Sequence, residues 1–172
     1  MLACVTGCFY TFNAQIPHIA LSVLHLDLLH FGWYSNIPSL GMLIGSIIAM
    51  ALAQSHVPLH NVRIGLGIAL SMALLMVGYC LYTMPSALSL FVFTAAINLG
   101  LQILFPAAAS LALAHSDNHA SGASFLAMIN SVVAGIFVSL GNLWPATSYL
   151  SLPLCDGAIL LVAILCYWRM KR

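Results

Sequence analysis

Long apolar runs separated by short polar clusters fill the chain. They extend from about Leu2 to Leu24, Trp33 to Gln54, Val62 to Tyr82, Ala87 to Ala114, Ala120 to Trp144 and Leu150 to Trp168. A helix needs roughly 20 apolar residues to cross a hydrocarbon core about 30 Å thick. Barrel strands would instead alternate apolar and polar residues over roughly ten positions. The pattern therefore predicts an all-α polytopic membrane protein, with residues 1–172 as a single bundle of six transmembrane helices. The breaks contain helix-stopping or interfacial residues, such as Pro58, Pro85 and the segment from His115 to His119. The first run is the least apolar, because it includes Asn13, Gln15, Pro17 and His18. Met1 leads into it without a basic flank, so it is expected to stay as a span and not to be removed as a signal peptide.

Composition narrows the class. Of 172 residues, four are Lys or Arg and three are Asp, while 63% are hydrophobic. Charged residues make up 4% of the chain, against about 25% in soluble domains. So few charges exclude a water-exposed globular surface and a disordered chain. A net charge of +1 excludes nucleic acid as a partner. The partner these counts imply is the lipid bilayer. Cys4, Cys8, Cys80, Cys155 and Cys166 have no CxxC spacing and read as small buried hydrophobes. With six spans, Arg63 falls on the same side as Arg169, Lys171 and Arg172. The positive-inside rule makes that side cytoplasmic, with both termini on it.

The polar residues within the runs are the candidate chemistry. Asn98 and Gln102 lie four apart and share a helix face; Asn130, Asn13, Gln15, Asn36 and Tyr10 join them as candidates for lining a solute cavity. An amide in hydrocarbon is costly unless hydrogen-bonded. These side chains are thus expected inside the bundle, either as glue between helices or along a polar path. Gly41 and Gly45 form a GxxxG pattern, and Ser131 and Gly135 a small-xxx-small variant; both favour close helix packing. Pro38 and Pro106 are expected to bend their helices. Asp27 and Asp117 fall in loops, and Asp156 is expected near the non-cytoplasmic interface. No span then carries a deep acid of the kind a proton-coupled carrier uses.

Enzyme chemistry is not expected. His25, Asp27 and His30 have a weak metal-like spacing that an interfacial loop explains as well. His56 and His60 flank a proline, which breaks a common helical face. Gly122-Ala-Ser124 is followed by Phe125, where an intramembrane serine protease would need glycine. No HExxH motif, phosphate loop or paired carboxylate occurs. Neither metal nor cofactor is anticipated.

Four stretches carry a family resemblance. Phe12-Asn-Ala-Gln-Ile-Pro17, Phe31-Gly32 followed by Gly41 and Gly45, Asn98-Leu-Gly100 followed by Pro106, and Gly122-Ala-Ser124 occur in an order spanning nearly the whole chain. The chain resembles the C-terminal six-helix half of a major facilitator superfamily transporter, in the bacterial branch of bicyclomycin and chloramphenicol efflux carriers. The resemblance implies residence in the bacterial inner membrane and multidrug or small-solute efflux by alternating access. It also implies a central site built together with another six-helix half. Asn13, Asn98, Gln102 and Asn130 would line that site. Two features depart from the family. The basic, glycine-containing signature between the second and third spans is reduced to Arg63, and the N-terminal half, which tends to hold the coupling acid, is missing. The chain is then a truncated product, a split subunit or a half that dimerises; truncation is favoured, because Met1 opens almost inside a helix. The alternative is a membrane interaction protein that transports nothing.

Overall fold

A computed structural model describes residues 2–55, 57–114, 119–143 and 150–170. Their regular structure is entirely helical: α1 (Leu2–His18), a π-helical turn (Ile19–Val23), α2 (Leu28–Tyr34), α3 (Asn36–Ser55), α4 (Pro58–Tyr82), α5 (Ala87–Leu113), α6 (His119–Leu143) and α7 (Ser151–Met170). Local chemistry explains several boundaries. Pro58 opens α4, where a missing N–H costs nothing. The Ser86 hydroxyl caps α5 by accepting from the Ser89 amide at 3.2 Å.

Among the described residues, five segments are long and apolar enough to cross a membrane: Leu28–Gln54, Pro58–Tyr82, Ala87–Leu113, Ala120–Gly141 and Ser151–Arg169. The sequence pattern suggests six. The difference is α1, whose 17 α-helical residues span only about 26 Å. Directly after Pro17 the chain changes to π spacing, with the Leu24 amide on the Ile19 carbonyl at 2.9 Å. Proline gives no donor to the preceding turn, so a change of ladder phase there is physically natural.

The second expected span starts earlier than its apolar run. It begins at Leu28 and breaks at Ser35. Pro38 explains the break, since it can give no N–H to the Tyr34 carbonyl, the point where α2 stops. Its effect is therefore a helix junction, not a bend within α3. Around Pro106, α5 stays helical throughout.

α5 is the centre of the bundle. It packs antiparallel on α4, where Gly65 and Gly100 let the backbones touch; a Cβ on Gly65 would lie 2.6 Å from the Gly100 carbonyl oxygen. It packs parallel on α3, where Gly41 abuts Ala95 and a Cβ on Gly45 would lie 2.6 Å from the Leu99 carbonyl oxygen. The GxxxG pattern thus has a definite partner. Phe91 is fully buried and gathers Phe12, Phe31 and Tyr34 around it, with ring centroids 6.3, 6.2 and 5.9 Å away. This cluster pins α2 to the bundle.

α1 runs parallel to α6 and antiparallel to α7. The first pairing follows from the Thr6–Asn130 and Gln15–Gly141 hydrogen bonds, in which both numbers rise together. α6 packs chiefly on α1 and touches α5 lightly. Its packed face is Asn130, Ala134, Phe137 and Gly141. Ser131 and Gly135 lie one position off that face, so the expected packing role is corrected. The Ser131 hydroxyl bonds its own helix at the Ala127 carbonyl, 3.0 Å away, and a Cβ on Gly135 would meet nothing within 4 Å.

Large apolar side chains cover the outside, among them Leu43 and Ile47 on α3, Leu74 on α4, Met128 and Val132 on α6, and Leu165 on α7. Such continuous apolar cover suits lipid and not water. The protein is a helical bundle with the surface of an integral membrane protein. The helix directions put Arg63, at the start of α4, and Arg169, at the end of α7, at the same end of the bundle. Lys171, Arg172 and Asp117 lie outside the described residues.

Candidate functional site

A cleft of about 300 Å³ opens between α1, α3, α5 and α6. Val5, Phe9, Met42, Leu101 and Phe105 give it apolar walls. Its polar groups are Thr6, Tyr10, Asn98, Gln102 and Asn130. Four of the seven residues singled out from sequence therefore meet in one place. Helical spacing brings them there: Thr6 and Tyr10 are one turn apart on α1, as are Asn98 and Gln102 on α5.

The amides differ in their bonding. Asn130 is committed, donating to the Thr6 hydroxyl at 2.9 Å. Asn98 is 4% exposed, and its Nδ2 is buried without a hydrogen-bond partner. A largely apolar cleft with a few placed polar groups is the usual make-up of a small-molecule site.

The other three candidates are placed elsewhere. Gln15 is buried, with its Nε2 donating to the Gly141 carbonyl at 2.9 Å and lying 3.7 Å from the Cys155 sulfur. It joins α1, α6 and α7. Asn13 and Asn36 are exposed; Asn13 donates to its own helix at the Phe9 carbonyl (2.8 Å), and Asn36, at the start of α3, donates back to the Gly32 carbonyl of α2 (3.0 Å). Near the α2 end, Asp27 and His30 approach to 3.9 Å on the surface, beside His25 with its left-handed backbone (φ 51°). His56 lies outside the described residues.

One buried residue overturns an expectation. Asp156 lies in the first two turns of α7, yet it is buried inside the bundle: it is 2% exposed, on the face of α7 that also buries Leu152, Ile159, Leu160 and Ala163. The bundle therefore does contain a buried carboxyl. The signal was available in the sequence: Asp156 stands four residues after Leu152 and four before Leu160, so it shares their side of the helix.

No protein-family model matches the chain, and no curated protein or solved structure matches it.

Proposed function

We propose that this chain is one six-helix half of a major facilitator-type carrier, and that the cleft at Asn98 is its share of a binding site for a small, largely apolar solute. The observation that carries the reading is the unpartnered Nδ2 of Asn98, nearly buried and lining the same cleft as Tyr10, Gln102 and Asn130. A buried donor left unmade costs about 1–3 kcal/mol, a cost that a solute acceptor would remove. In this reading the continuous helical segment from Leu2 to Val23 is the sixth span. The end with Arg63 and Arg169 faces the cytoplasm of a bacterial cell. Drug or small-solute efflux by alternating access requires a second six-helix half or a second copy of the chain. The exposed side of α6 supports that requirement.

The test is binding of radiolabelled chloramphenicol to the purified chain in lipid discs. The Asn98→Leu variant, which also loses an unpaired donor, should fold at least as well and bind roughly tenfold more weakly. A folded wild-type chain that binds no such solute, alone or with a partner half, would count against the proposal. Robust efflux by a demonstrable monomer would remove the need for a second half.

A second reading is a membrane interaction protein in which the amides only join helices. The Thr6–Asn130 and Gln15–Gly141 bonds favour it. It expects Asn98→Leu together with Gln102→Leu to disturb assembly and leave solute binding out of the picture.

A further inference from the structure

The seam between α1 and α7 holds a carboxyl with no counter-charge among the described residues. The Oδ1 of Asp156 is buried and has no hydrogen-bond partner. Among the described residues the ion pair found is Asp27 with His30, far out on the surface. From α1, the Cys8 thiol faces the Asp156 carbonyl oxygen at 4.0 Å, and Cys4 lies one turn away. On α7 itself the titratable neighbour is Cys155, next to the Gln15 amide. α4 also packs on α7; its buried titratable group is Cys80, while His60, Arg63, Tyr79 and Tyr82 are exposed. α6 carries no acid or base from Ala120 to Gly141. Among the described residues, therefore, no cation faces this carboxyl from α1, α4, α6 or α7.

The packed face of α1 carries two further oxygens without partners, the buried Thr11 Oγ1 and Gln15 Oε1. Cys8, Thr11 and Gln15 recur at helical spacing and so lie along one face of α1. An ionised carboxylate would place an uncompensated charge there. A protonated one supplies an O–H. An isolated carboxylate away from water is far costlier than the neutral acid.

We propose that Asp156 is a proton-binding site. Its carboxyl holds a proton while α1 and α7 are packed, and passes it to water only when that seam opens. The carboxyl O–H bond breaks and an O–H bond to water forms; no other bond changes. An apolar cleft of about 400 Å³, walled by Gly141, Leu154, Cys155 and Ala158, gives α7 space to move beside the seam. The proposal stands independently of solute transport.

The chain has three acids, Asp27, Asp117 and Asp156, so isotope labelling reads each directly. Protein with 13C only at the aspartate carboxyls, in lipid vesicles at neutral pH, should show one protonated carboxyl in its infrared or NMR spectrum. That signal should persist in Asp27→Asn and Asp117→Asn and be lost in Asp156→Asn. The first two variants assign it even if the third does not fold. In D2O its acid proton should exchange slowly. Three ionised carboxyls at neutral pH overturn the proposal, as does a protonated signal that belongs to Asp27 or Asp117. Exchange complete within mixing overturns the role of the seam. Ionisation of Asp156 on adding sodium chloride at constant pH would make the buried oxygens a metal-cation site and also overturn it.

Discussion

Gly41 and Gly45 have no room for a side chain, because the α5 backbone fills the space where a Cβ would be. Gly135 has open space around it. The same substitution should therefore act oppositely at these places. Gly45→Ala forces α3 away from Leu99 and should lower unfolding free energy by about 1–3 kcal/mol. Gly135→Ala should leave it unchanged or raise it, through the better helix propensity of alanine. Denaturation of the purified variants in micelles, followed by circular dichroism, checks both. Equal losses at the two positions would contradict the packing described. The glycine spacing was legible in the sequence, but its partner was not: GxxxG fixes how closely helices can approach, and only the tertiary arrangement says which helix arrives. The same holds for the polar side chains. Asn98 and Asn13 look alike as amides in apolar runs, yet one faces a cleft and the other its own backbone.

At the scale of the helices, hydropathy locates the long elements well, because lipid requires long apolar runs whatever they pack against. Its signal is weakest at α1, whose run is interrupted by Asn13, Gln15, Pro17 and His18. α1 is joined to the bundle by side-chain hydrogen bonds as well as by its buried apolar face. The reciprocal Thr6–Asn130 pair and the Gln15–Gly141 bond tie it to α6 at two levels. A double-mutant cycle with Thr6→Ala and Asn130→Ala should give a coupling of about 0.6–1.7 kcal/mol, the range of hydrogen bonds between membrane helices. Additive losses would mean that the pair does not hold the seam. Gln15→Leu should cost at least as much as either single change, since it also leaves the Gly141 carbonyl without its donor.

In the molecule as a whole, two kinds of contact differ in sequence distance. α3, α4 and α5 follow one another and pack together. α1 finds its main partner, α6, more than a hundred residues later. Protein synthesis turns that distance into waiting time. The middle helices have their neighbours as soon as they enter the bilayer, whereas α1 must remain there with Thr11 and Gln15 uncovered until α6 and α7 are made. Ribosome-stalled chains can show this. A photo-crosslinker at position 15 should capture lipid or the insertion machinery in chains that end after α5, and lose those adducts once α6 has emerged. An unchanged adduct pattern would mean that α1 is sheltered from the start. The parallel seam of α1 and α6 thus makes later-made helices the guardians of an earlier one, and an interruption before α6 would leave the amides of α1 stranded in lipid.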